Sequence, residues 1–131
     1  MEAKVLIVED DLALRPFWEV FLRRQFENVE IDWAVSGEQA QDQFVNSLAL
    51  GHRYSLIIVD LFLAGSMTGL DLVSFFSQFD SAPILLASSS DSDCLQMQLS
   101  QSQSNVYVLD KPLSIPKCER LLGRMGQSVF G

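Results

Sequence analysis

Cysteine is nearly absent: the 131 residues hold two, Cys94 and Cys118, enough for one bridge at most and far from any zinc-ligand spacing. The single histidine, His52, excludes a metal centre built on histidines. Basic residues are few as well. Nine lysines and arginines face seventeen acids, for a formal net charge of −8, which argues against a protein that grips a nucleic-acid backbone or an anionic membrane. No run of about 18 apolar residues occurs, and the opening Met1-Glu2-Ala3-Lys4 lacks a signal-peptide layout. Internal repeats and Pro/Gly-rich linkers are missing too. What remains is the composition of a folded protein, 48% hydrophobic and 20% charged. A chain of this size buries about two thirds of its unfolded surface without staples. The expectation is one cytoplasmic domain over residues 1–126 with a short flexible tail at 127–131.

Short apolar runs alternate with longer amphipathic stretches. Residues 3–8 (AKVLIV), 54–59 (YSLIIV), 83–87 (PILLA) and 106–109 (VYVL) read as strands, with 29–35 as a weaker fifth. Strands this uniformly apolar belong in a parallel sheet covered on both faces. Between them the spacing is helical. Leu14, Phe17, Trp18, Phe21 and Leu22 make one stripe, Ala40, Phe44 and Leu48 a second, and Leu72, Val73, Phe76 and Phe79 a third. Ile115, Cys118, Leu121, Leu122 and Met125 close the chain with another. The Gln/Ser-rich stretch 91–104 has only Leu95 and Leu99 at i, i+4 and is the weakest helix. Pro16 should kink or delay the opening turn of the first helix. Strand then helix, five times over, implies right-handed crossovers onto one parallel sheet. The predicted fold is α/β: a five-stranded, doubly wound, flavodoxin-like three-layer sandwich.

Ligands of open α/β sheets bind outside the carboxyl ends of the strands. Glu9, Asp10 and Asp11 follow the first strand and Asp60 ends the third; Ser88, Ser89 and Ser90 follow the fourth, and Asp110, Lys111 and Pro112 the fifth. Each alone has an ordinary structural explanation. Asp11 and Asp91 suit helix caps, a serine run suits a turn, and Lys-Pro suits a loop. Together they do not. Two carboxylates about 5 Å apart repel by about 3 kcal/mol at an effective dielectric near 20, so three acids at one edge call for a cation or a proton. Hard oxygen donors with open positions suit Mg²⁺, which keeps waters and shares a phosphate.

This constellation resembles the receiver domain of bacterial two-component response regulators. The resemblance rests on VEDD (Val8 to Asp11), IIVD (Ile57 to Asp60), Gly69, PILLAS (Pro83 to Ser88) and DKP (Asp110 to Pro112). It spans nearly the whole chain, five weak motifs in order. It implies that Asp60 is the phosphoacceptor, that Glu9 and Asp10 bind Mg²⁺ with Asp60 and the backbone carbonyl of Phe62, that Ser88 is the switch hydroxyl and that Lys111 holds the phosphate. A histidine kinase or phosphotransfer protein would be the donor and another protein the target, with no direct nucleic-acid or membrane partner.

The roles are chemically coherent. Asp60 offers a carboxylate for in-line attack on phosphorus, giving an acyl phosphate, while Mg²⁺ and Lys111 neutralise the transferring oxygens. The rival readings are a small Mg²⁺-dependent phosphohydrolase and a receiver-like module that signals without phosphorylation. A hydrolase would use an acid two residues after its nucleophile, and Phe62 stands there, which favours a switch over a turnover enzyme. The intact set Glu9, Asp10, Asp60, Ser88 and Lys111 disfavours the third reading. The chain departs from the family at a longer loop between Asp60 and Gly69, at Ser89 in place of a small residue, and at Val108 in place of an aromatic switch. Trp18, Trp33 and the phenylalanines are expected to fill core and crossover surfaces, and His52 a loop.

Overall fold

The apolar runs become the strands of one sheet in the computed structural model, which describes residues 2–61, 63, 67–88 and 105–125. The elements are β1 (Glu2–Val8), a short 3-10 turn (Leu12–Leu14), α1 (Arg15–Gln25), β2 (Asn28–Ala34), α2 (Gly37–Ala49), β3 (Leu56–Asp60), α3 (Gly69–Phe79), β4 (Ile84–Ser88), β5 (Val106–Asp110) and α4 (Ile115–Met125). All neighbouring strands are parallel, in the order β2-β1-β3-β4-β5, which is the flavodoxin-like order. The stretch 91–104, the residues Ser89, Ser90 and Cys94, the carbonyl of Phe62 and the tail 127–131 lie outside the described residues.

Both faces of the sheet are covered, which is why β3 and β4 are buried at every position. On one face Ala40 and Phe44 of α2 and Leu72, Val73 and Phe76 of α3 pack on Leu6, Val8, Ile57, Val59 and Leu86. On the other, Trp18, Phe21 and Leu22 of α1 and Cys118, Leu121, Leu122 and Met125 of α4 pack on Val5, Ile7, Ile58 and Leu85. The helical stripes read from the sequence are therefore the buried stripes. Phe79 is the exception at 56% exposed. It is the last residue of α3, where the helix outruns the sheet that covers Phe76.

Local chemistry sets the helix starts. Pro16 occupies the first turn of α1, where its missing N–H breaks no helical bond. Asp11 accepts from the Ala13 amide at 3.0 Å and so caps the preceding 3-10 turn rather than α1 itself. Ser36 caps α2 through the Gln39 amide, and Thr68 and Asp71 form a reciprocal capping box at the start of α3. The edge strand β2 is guarded from α2: Gln43 donates to the Trp33 carbonyl at 2.9 Å, and Gln39 accepts from the Val35 amide at 2.7 Å. The third strand begins at Leu56 rather than at the predicted Tyr54, which instead stacks its ring on Phe44 and donates its hydroxyl to Asp32. Among the described residues no helix is long and apolar enough to cross a membrane.

Candidate functional site

The strand order reverses between β1 and β3, and at such a switch point the flanking crossovers diverge and leave a crevice. Val8 pairs with Val59 there, so the next residues, Glu9 and Asp60, face one another. On the far side Asp60 pairs with Ala87, and Ser88 pairs with Asp110. Strand alternation selects the same side for three of these groups. Val5 and Ile7 face α1 and α4, as do Leu56 and Ile58, and Tyr107 and Leu109. Two residues on in each series stand Glu9, Asp60 and Lys111.

The distances agree. Glu9, Asp10 and Asp60 each present a carboxylate oxygen within 4.8 Å of the others. Lys111 Nζ donates to Asp60 Oδ1 at 3.3 Å. Glu9 and Asp60 are buried, at 3% and 5% exposed, and Ser88 is fully buried. The Lys111 amide donates to the Ser88 carbonyl at 2.8 Å and the Leu61 amide to the Ala87 carbonyl at 2.8 Å, so the ends of β3, β4 and β5 are tied together by backbone.

Burial of negative charge has a visible consequence. The Glu9 carboxyl is pushed from 4.5 up to about 7, mainly by desolvation, with the hydrogen bond and charge of Asp60 adding to the rise. The Asp11 amide, which donates to Glu9 Oε2 at 3.2 Å, and the Lys111 charge act against it. The crowded charge is relieved either by a proton on Glu9 or by a cation shared among the acids. Three hard oxygen donors at this spacing, one of them only partly buried, fit a Mg²⁺ ion that retains waters.

The structure thus brings together Glu9, Asp10, Asp60 and Lys111, and sets Ser88 on the strand beside Asp60. Two supporting residues have local roles that a search for chemically active side chains misses. Thr68 caps the helix that follows the site, and its signal is the Thr-x-x-Asp spacing of a capping box. Gly69 packs its α-carbon against the backbone of Asp60 and Leu61, and its amide donates to the Leu61 carbonyl at 2.9 Å. Gly69 is one of the residues that carry the resemblance, but its place in the sequence does not show so close a backbone approach.

The sequence pattern of the response regulator receiver domain matches residues 5–122. Transcriptional regulatory protein ResD of Bacillus subtilis is 26% identical over 133 residues, covering 98% of this chain and 52% of that protein. Response regulator ArlR of Staphylococcus aureus is 37% identical over 83 residues, 63% of this chain and 34% of its own length. Among solved structures, chemotaxis response regulator CheY4 of Vibrio cholerae superposes with a TM-score of 0.75 at 25% identity, covering 95% of this chain and 99% of that one. A two component response regulator from Cytophaga hutchinsonii gives 0.78 at 24% identity, with 95% and 96% covered. The chain spans about half or less of the length of these two curated relatives.

Proposed function

The chain belongs to the response regulator receiver domain family, and from that membership we propose that it is the phosphoacceptor module of a two-component or phosphorelay pathway, with Asp60 as the acceptor. One arrangement carries this reading: a buried carboxylate at the end of β3, held 3.3 Å from the ammonium of Lys111 and beside two further acids. A histidine kinase or phosphotransfer protein in the cytoplasm is the donor. An oxygen of Asp60 attacks the phosphorus in line, the new O–P bond forms as the N–P bond of the donor phosphohistidine breaks, and the imidazole leaves. Lys111 then holds one phosphoryl oxygen and the Ser88 hydroxyl donates to another. Glu9, Asp10 and Asp60, with the Phe62 carbonyl that the resemblance implies, would hold Mg²⁺, which would neutralise charge on the phosphoryl oxygens.

Phe62 has no proton to give or take, so the acyl phosphate outlasts the transfer and the module works as a switch rather than as a turnover enzyme. Its output is a protein contact. Val108 packs on the α2/α3 side of the sheet and Tyr107 on the α1/α4 side, so Tyr107 cannot replace an aromatic switch at 108 without turning the strand over. The signal therefore runs through Ser88 and the residues that follow it.

Intact mass after incubation with acetyl phosphate and Mg²⁺ tests the assignment. One added phosphoryl group, absent from Asp60→Asn, is the expected result. The same labile adduct on Asp60→Asn overturns it.

A further inference from the structure

Charge is divided between the two faces of the sheet. α1 and α4 carry six bases, Arg15, Arg23, Arg24, Lys117, Arg120 and Arg124, against Glu19 and Glu119. α2 and α3 carry Glu38, Asp42 and Asp71 and no base. The sequence has no lysine or arginine between Arg24 and Arg53, or between Arg53 and Lys111, and Arg53 is already bound to Asp80.

On this acidic face lies an apolar strip that the core covers only in part. α2 and α3 run side by side from the same end of the sheet: Gly37 lies against Met67 at their start, and Phe44 meets Phe75 and Phe76 midway, at ring distances of 6.0 and 4.8 Å. Helical spacing puts Val45 and Leu48 on the flank of α2 that faces α3, and Phe75 and Phe79 on the flank of α3 that faces α2. Val45 is 50% and Phe79 56% exposed, while Leu48 and Phe75 are half-buried. The rings of Phe75 and Phe79 lie 5.1 Å apart, so the strip continues outward from the core at Phe44.

We propose that the strip formed by Val45, Leu48, Phe75 and Phe79 docks a basic amphipathic helix of a partner protein. The furrow between two parallel-running helices accepts the ridge of a third, read by apolar residues at i, i+3 and i+4. The rim of Glu38, Asp42 and Asp71 selects lysine and arginine on the flanks of that helix. The same rim works against the other occupants. A second copy docking through the same face would set acids against acids, and nucleic acid or an anionic lipid surface would be repelled.

The test uses the full chain and two synthetic helical peptides of one apolar pattern, Leu/Lys and Leu/Glu, titrated by calorimetry at low salt. The Leu/Lys peptide should bind at least about tenfold more tightly than Leu/Glu and weaken with added salt. The double variant Val45→Ser, Phe79→Ser should weaken it by about tenfold or more, as removal of central anchors does. Phe79→Leu, which keeps the apolar surface, should retain binding, and so should Val20→Ser, at a 55% exposed valine of α1. Unchanged binding in the double variant overturns the proposal. So does an equal loss in Val20→Ser, or self-association of the chain that Phe79→Ser abolishes.

Discussion

Gly69 and Asp60 touch through backbone alone: a Cβ on residue 69 would stand 2.6 Å from the Asp60 carbonyl oxygen and 2.7 Å from the Leu61 α-carbon. Backbone atoms cannot swing aside as a flexible side chain does, so α3 can start this close to Asp60 only at a glycine. Gly69→Ala should therefore cost about 1–3 kcal/mol, the usual range for overpacking a tight site. It should also slow phosphoryl uptake by displacing the end of β3. Urea unfolding and uptake from acetyl phosphate measure the two effects. Full stability and full uptake would contradict this reading of the contact.

Glu9 makes the metal-free protein sensitive to pH. Its folded value of about 7 lies above its ordinary 4.5, so the folded state holds a proton that the unfolded state releases. Stability from this group is complete below pH 4.5 and falls as pH rises towards 7. Its size is about 1–3 kcal/mol, since a tenfold difference in proton affinity between the two states corresponds to about 1.4 kcal/mol. Unfolding curves of the native chain and Glu9→Gln from pH 4.5 to 7.5, both in EDTA, should diverge by that amount. Parallel pH dependence would show that Glu9 is not the group responsible.

Magnesium should offset the same crowding. At 100 times its dissociation constant a ligand of the folded state adds about 2.7 kcal/mol, and magnesium should raise the melting temperature accordingly. Binding should weaken below pH 7 because the proton on Glu9 competes. The double variant Glu9→Gln, Asp10→Asn should lose the stabilisation. Equal stabilisation of the double variant would place the ion elsewhere.

The opposite end of the sheet offers a control. The Tyr54 hydroxyl donates to Asp32 Oδ2 at 2.7 Å, and Asp32 lies 3.8 Å from Lys4 Nζ, which donates to Ser47 at 3.0 Å. Burial, then the bond to Asp32, pushes the Tyr54 phenol well above its ordinary value, so it stays a donor at any working pH. Tyr54→Phe should cost about 1–3 kcal/mol, the range for leaving a buried polar group without its partner. Phosphoryl uptake should be unchanged, because Tyr54 precedes β3 and Asp60 ends it. A large change in uptake with intact stability would contradict this separation.

Hydrogen exchange with and without a phosphoryl mimic reports the route of the signal. Protection changes should begin at Ser88 and continue into residues 89–104. Changes confined to Tyr107 or α1 would refute that route.

The amino-acid sequence by itself determined the order of the described elements, the parallel sheet and its two covered faces, because those depend on short-range periodicity. Short β-branched runs such as 57–59 (IIV) suit a strand buried on both sides, and stripes such as Leu72, Val73 and Phe76 match the face that α3 buries. Candidate site residues were legible for the same reason, since acids and a lysine directly after apolar runs mark one edge of such a sheet. Periodicity does not give the sheet order, which came with the flavodoxin-like resemblance. Tertiary structure, with β3 between β1 and β4, decided that Lys111 stands 3.3 Å from Asp60 across 51 residues of chain. It likewise decided that Glu9 shares its site closely enough to hold a proton near neutrality. It also decided that Phe79, patterned like its buried neighbours, ends its helix in solvent. Each of these depends on which distant elements lie beside a residue, and desolvation, Coulomb energy and burial are set by those neighbours rather than by the local sequence.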